Sequence, residues 1–193
     1  LVGVKEAVLP LAFATLRERE GFLNFDKTVF IFPKLEENFA VGVPSDKNLY
    51  DLYLVKLKEA ISNIHEAEVV HVDLYPSNIL WRFHEGNMVI RIVDWDAATF
   101  KDEEFTDTMK ERITDFYWNS GGVAKPQCDY WFLFILSNLN DEERKSMNGD
   151  ESSDVNLVLT ESVERQWSED KMLDQTFLKW YDSLQVEAEN GAD

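Results

Sequence analysis

The stretch from Val69 to Asp94 constrains this chain more than any other. It opens on apolar residues, passes through a polar turn carrying His71, Asp73 and Asn78, and enters a short strand at Ile79-Leu80-Trp81. A turn at Glu85-Gly86-Asn87 follows, and Met88-Val89-Ile90 with Ile92-Val93 then lead to Asp94. Runs of β-branched and aromatic residues on both sides of a glycine turn predict a β-hairpin. The two ends of that hairpin each present a carboxylate, Asp73 and Asp94, with the Asn78 amide between them in sequence.

This trio suits one kind of chemistry. Mg²⁺ takes hard oxygen ligands and keeps some of its waters, so one carboxylate, one amide oxygen and nucleotide phosphates suffice to hold it. A second carboxylate, free of metal, can orient an attacking hydroxyl and accept its proton. The competing reading is a polar hairpin turn that holds Asp and Asn for no chemical reason. It has to account for the whole pattern and its flanks, not one short motif. The run His71-Val72-Asp73-Leu74-Tyr75-Pro76-Ser77-Asn78 resembles the protein-kinase catalytic loop H-R-D-L-x-x-x-N, and Asp94-Trp95-Asp96 resembles the metal-binding D-F-G. The resemblance implies that Asp73 is the catalytic base and that Asn78 serves the same catalytic loop. It makes Asn78 and Asp94 the Mg²⁺ ligands and His71 a packing and hydrogen-bonding residue of the loop.

Composition bounds the rest. The chain has 193 residues, enough for one sizeable core, and 45% of them are hydrophobic. Nineteen Lys and Arg stand against 37 Asp and Glu, a net charge of −18. Such a surface repels nucleic acid and anionic membranes, so neither is an expected partner. It would also repel ATP unless Mg²⁺ or a local basic group compensates. Cys128 is the lone cysteine, which excludes an internal disulfide. No apolar run reaches the ~18 residues of a membrane span, and no segment reads as a signal peptide, so the expected location is cytoplasmic or nuclear. The chain opens on Leu1, not Met, and is expected to be a fragment or a trimmed product.

Toward the N-terminus, residues 8–14 and 28–35 are apolar runs rich in β-formers, separated by the charged Leu16-Arg17-Glu18-Arg19-Glu20 and Gly21. They predict two antiparallel strands with a long connection. In the kinase resemblance these are the last strands of the small N-terminal lobe, and residues 32–36 form the linker to the large lobe. Phe32, Lys34 and Leu80 are then the expected nucleotide contacts. The eight glycines contain no G-x-G-x-x-G. Val2-Gly3-Val4-Lys5 resembles the strand-lysine motif V-A-I-K only superficially. About two dozen residues separate Lys5 from the second apolar run, too few for a helix and the remaining strands at ~1.5 Å rise per helical residue. Residues 1–6 are better read as the end of the helix that precedes these strands. Most of a small lobe is therefore expected to lie upstream or in another chain.

Residues 46–66 form an amphipathic helix, with Ser45 or Asp46 as cap and Leu49, Tyr53, Leu57, Ile61 and Ile64 as its apolar stripe. His65 at its end reads as a packing or helix-dipole residue, and His84 as exposed. The polar stretch after Ala97 corresponds, by resemblance, to an activation segment. Thr106, Thr108 and Thr114 are its candidate phosphosites, but Val72 replaces the arginine that would pair with a phosphate. No A-P-E is present, and Phe116-Tyr117-Trp118 occupies that region. Residues 128–136 read as a buried helix resembling the central helix of the kinase large lobe, which starts D-x-W. Asp129 is accordingly expected to support the catalytic loop from behind, or simply to cap its helix. Residues 140–155 read as a loop, 157–187 as one or two helices, and the tail from Glu187 as frayed.

The expected fold is thus α+β and protein kinase-like: a mostly helical C-lobe at 37–187, a β-hairpin remnant of the N-lobe at 1–36, and an acidic tail at 188–193. Three functions remain open. The first is an ATP- and Mg²⁺-dependent phosphotransferase acting on a Ser/Thr hydroxyl of a protein substrate. The second is a pseudokinase or truncated lobe that binds a protein partner, suggested by the missing glycines and strand lysine. The third is a small-molecule kinase of the aminoglycoside or choline type, which shares H-x-D-x-x-x-x-N and a later Asp. Two departures bear on the choice. Tyr75 stands where protein Ser/Thr kinases carry a γ-phosphate lysine, and the D-F-G is Asp94-Trp95-Asp96.

Overall fold

The backbone follows the hydrophobic pattern closely where periodicity is strong. The computed structural model describes residues 12–20, 23–31, 38–105, 122–146 and 172–190, and the side chains of 38–105, 122–144 and 175–184. It is a mixed α+β arrangement of small sheets and helices.

Strands β1 (Ala12–Glu20) and β2 (Leu23–Ile31) pair antiparallel, with Ala12 opposite Ile31 and Glu20 opposite Leu23. The long connection expected here is not found. The charged run Leu16–Glu20 lies inside β1, paired with β2. The linker residues Phe32 and Lys34 lie outside the described residues, as do Lys5, the three threonines and the aromatic trio at 116–118.

Helix α1 (Lys47–Glu66) starts where predicted. Asp46 is its N-cap, in extended conformation, and its side chain accepts a hydrogen bond from the Leu49 amide at 3.0 Å. Tyr50, Tyr53, Leu57, Ala60, Ile61 and Ile64 are buried at helical spacing. They pack against β4 (Val69–Val70), β6 (Asn87–Ile92) and α2 (Gln127–Ser137).

Strand β5 (Ile79–His84) pairs with β6, and β3 (Ala40–Val41) adds to its other edge. The turn at Glu85 and Gly86 has positive φ at both positions, 51° and 77°, the geometry that matches the twist of a tight hairpin. Pairs directly opposite share a face. Ile79 with Ile92 and Trp81 with Ile90 therefore form the core side, which buried Met88 continues opposite an exposed Phe83. Leu80 with Arg91 and Arg82 with Val89 form the other.

Helix α2 buries every residue from Cys128 to Leu136, an all-round apolar surface typical of a central helix. It packs on α1 and on α4 (Met172–Asn190), where Phe177 meets Trp131 and Phe134 edge-on. Burial pushes the Cys128 thiol up to about 12, so it is an inert packing group. Two expectations for this region fail. Residues 141–146, within the predicted loop, form the short helix α3 (Asp141–Ser146). Helix α4 also runs to Asn190, past the point where the tail was to begin. Among the described residues no helix is long and apolar enough to cross a membrane.

Candidate active site

The polar loop between β4 and β5 is held at both ends. Strand β4 pairs with β7 (Thr99–Phe100), and Pro76–Asn78 form one tight 3-10 turn closed by the Asn78 amide on the Tyr75 carbonyl at 2.8 Å. The Val93 amide then donates to the Asn78 carbonyl at 3.0 Å, tying the loop to the end of β6. The hairpin thereby brings residue 94 back beside residues 73–78.

Asn78 is buried. Its Nδ2 donates to the Asp73 backbone oxygen at 2.9 Å and to Asp73 Oδ2 at 3.2 Å. Both amide protons are thus committed to Asp73, which fixes the orientation of the amide. Its Oδ1 is the remaining polar atom of that side chain, an acceptor.

His71 is fully buried and joins the two halves of the site. Its Nε2 bonds the Val93 carbonyl at 3.0 Å, and its Nδ1 accepts from the Asp73 amide at 3.3 Å. A carbonyl can only accept, so the proton sits on Nε2. The ring also packs edge-on against Trp95, with centroids 4.6 Å apart. Val72 beside it is buried with φ at 72°, a left-handed conformation that β-branched residues rarely adopt.

Asp129 supplies the reason that conformation persists. It is fully buried at the start of α2. Its Oδ1 accepts from the Val72 amide at 2.8 Å and its Oδ2 from the His71 amide at 2.9 Å. It does not cap its own helix: Pro126 occupies the cap position, without a side-chain cap bond. A third donor reaches it from α1, where His65 Nε2 lies 2.8 Å from Oδ2.

Asp94 adopts the left-handed region too, at φ 62° and ψ 66°, which aspartate tolerates better than most residues. Its carboxyl is held above the ordinary 3.8. The first cause is a side-chain hydrogen bond with Asp96, then partial desolvation, then the negative charges of Asp96 and Asp73, with His71 opposing. The charge of Asp73 is thus felt at Asp94, as the return of residue 94 toward residues 73–78 requires. Two acids leaning on each other in this way form a place where a cation would be welcome. Asn78, whose Nδ2 bonds Asp73, carries an amide oxygen, a hard donor of the kind Mg²⁺ accepts. Among the described residues no group of three or more His, Cys, Asp or Glu side chains is placed to hold a metal ion.

The other predicted residues fall as follows. Leu80 lies on the non-core face of the hairpin, half-buried, opposite Arg91 and paired with the exposed Val41 of β3. Phe32 and Lys34 are outside the described residues. Tyr75 is half-buried and packs edge-on against Phe132 at 4.8 Å. Its hydroxyl is pushed up first by desolvation and then by the charge of Asp73. Sequence reasoning missed two participants. Asp96 was visible as the third residue of the D-F-G-like motif. His65 gave no local signal, because its partner lies 64 positions away.

Residues 35–112 match the model of the lipopolysaccharide kinase (Kdo/WaaP) family. That family belongs to the protein kinase-like superfamily, so the resemblance read from the catalytic loop stands. The matched segment spans α1, the polar loop, the β5–β6 hairpin and Asp94, the parts that build the site. The chemistry such a segment carries is that of a kinase-like phosphotransferase.

Proposed function

We propose that this chain is an ATP- and Mg²⁺-dependent phosphotransferase of protein kinase-like fold, and that its acceptor is a hydroxyl of a small saccharide-type molecule. The supporting observation is the convergence of Asp73, Asn78 and Asp94 at one end of the hairpin, with the Asn78 amide oriented by Asp73. In this reading 37–187 is a C-lobe and the β1–β2 hairpin belongs to an N-lobe.

Asp73 orients the acceptor hydroxyl and takes its proton as the hydroxyl attacks the γ-phosphorus. Asn78 and Asp94 would hold Mg²⁺, and that ion would neutralise phosphate charge. Leu80, with Phe32 and Lys34 of the linker, contacts the base. His71 and Asp129 do no chemistry; they fix the backbone that carries Asp73.

A saccharide-type acceptor is favoured over a protein Ser/Thr side chain on two grounds. The matching family is named for phosphorylating lipopolysaccharide. At position 75 an aromatic ring, anchored on Phe132, replaces the lysine of protein Ser/Thr kinases, and a flat ring beside the base suits the apolar face of a sugar. The earlier expectation of a protein substrate is thus the weaker one. The test is label transfer from γ-labelled MgATP to a panel of lipopolysaccharide, core sugars, aminoglycosides, choline and a generic protein substrate. Labelling of a sugar, lost in Asp73→Ala with the fold intact, is expected. Labelling of protein alone would restore the Ser/Thr reading. No labelling by the full chain of any acceptor would favour the interaction-module reading.

A further inference from the structure

We infer that the outer edge of β6 is closed against strand addition by two of the chain's own side chains, Arg91 and Trp95, and that without them this edge pairs with the β6 edge of a second copy.

The hairpin register decides which backbone groups point outward. His84 and Asn87 flank the two-residue turn and stand opposite each other, so they form a hydrogen-bonded pair. Such pairs alternate with non-bonded ones along an antiparallel ladder. Arg82 with Val89 and Leu80 with Arg91 are therefore hydrogen-bonded pairs as well. Met88, Ile90 and Ile92 turn their N–H and C=O groups away from β5. The sheet runs β3-β5-β6, so among the described residues no strand lies beside that outward row.

Two of its three carbonyls are nevertheless occupied. Arg91 Nη1 donates to the Ile90 carbonyl at 2.9 Å, and Trp95 Nε1 donates to the Ile92 carbonyl at 2.9 Å. Both donors are side chains that fold back over the edge, in the place a neighbouring strand would take. Trp95 is braced from elsewhere by the His71 ring, with centroids 4.6 Å apart.

This edge needs such cover. Asn87–Ile92 is rich in strand formers and holds no proline, and its buried Met88, Ile90 and Ile92 fix it against α1. An open row of amides on a strand held that firmly is a template for another chain. A second copy of β6 fits it by symmetry. Run antiparallel about a two-fold axis with Ile90 opposite Ile90, each Ile90 N–H would meet the other's carbonyl. That carbonyl is the atom Arg91 holds. The net charge of −18 also keeps copies apart, so the test belongs in salt high enough to screen it.

Sedimentation velocity of the full chain over a concentration series reads the association constant. Arg91→Val should raise it roughly tenfold or more over wild type. Arg91→Thr supplies a second strand former without the guanidinium, should valine misfold. Arg82→Val is the control: it removes the same charge from the same face of the hairpin, but on β5, which is paired on both sides. It should match wild type. Amide exchange by NMR at Ile90 should slow as the Arg91→Val protein is concentrated, and stay constant in wild type. Adding Trp95→Phe frees the Ile92 carbonyl too and should tighten association further; an unchanged constant would overturn the part given to Trp95. Arg91 variants that associate no more than wild type would overturn the inference. So would equal association of Arg82→Val, or association that leaves exchange at Ile90 unaltered.

Discussion

Replacing Asp129 by asparagine removes one charge and almost no volume, so it isolates the carboxylate's role as a triple acceptor. In the wild type Oδ1 takes the Val72 amide, and Oδ2 takes the His71 amide and His65 Nε2. Asparagine offers one acceptor oxygen. With that oxygen in the Oδ2 place, His71 and His65 keep their bonds and the new NH₂ faces the Val72 N–H. With the oxygen in the Oδ1 place, the NH₂ faces the other two donors, and only His65 could switch tautomer to accept. At least one buried amide is orphaned either way, at a cost of about 1–3 kcal/mol. Val72 also loses part of what enforces its left-handed backbone, itself a strain of about 1–3 kcal/mol. Alanine orphans all three donors and should cost about 3–5 kcal/mol, a large share of a typical 5–15 kcal/mol total. Urea unfolding would show a lower midpoint at unchanged slope. The melting temperature should drop by about 2–12 °C for the asparagine variant. The exposed Asp182→Asn is the control and should stay within about 0.5 kcal/mol. An Asp129→Asn protein as stable as that control would refute the reasoning.

Three further outcomes are expected. Tyr53 is fully buried with a hydroxyl that has no hydrogen-bond partner among the described residues, so Tyr53→Phe should be neutral or stabilising by up to about 1 kcal/mol in the same assay; a clear loss would reveal a partner such as an enclosed water. Asp46→Ala should cost about 1 kcal/mol through loss of the α1 cap, and circular dichroism should show fraying confined to that end. Asp94 has a folded carboxyl raised above 3.8, so the native state binds more protons than the unfolded chain just above that value. Its stabilising effect is present in full below 3.8 and is lost as pH rises through the folded value. Asp96→Ala removes the largest cause, so the Asp94 carboxyl titration followed by NMR should move down toward 3.8; an unmoved midpoint would contradict the pairing.

What the sequence revealed was local. The stripe of α1 and its Asp46 cap follow from 3.6-residue spacing and one acid after a proline, and the structure agrees to within a residue. The β5–β6 hairpin was legible because glycine and its neighbour must both take positive φ in so tight a turn. The short helix at 141–146 was missed although its signal was present. Asn140 and Glu143 form a reciprocal cap, the Asn140 side chain accepting from the Glu142 and Glu143 amides while Glu143 accepts from the Asn140 amide. An acidic, serine-rich composition downstream outweighed that signal. The charges of residues 16–20 were misread as a connection for a similar reason, since strand pairing with 23–31 is not written in either segment alone. The site divides the same way. The neighbourhood of Asp73, Asn78 and Asp94 was legible in motif spacing, whereas the bond of His65 to Asp129 depends on a helix packing against another far along the chain, which no local pattern encodes.

The central claim is that Asn78 and Asp94 hold a divalent cation that brings a nucleotide to Asp73. Calorimetric titration of the full chain with ATP, with and without Mg²⁺, tests it most directly. The account predicts binding that requires Mg²⁺ in the wild type, is lost in Asn78→Ala and Asp94→Ala, and survives in Asp73→Asn. Binding that ignores Mg²⁺, or that persists unchanged when Asp94 is removed, would contradict it.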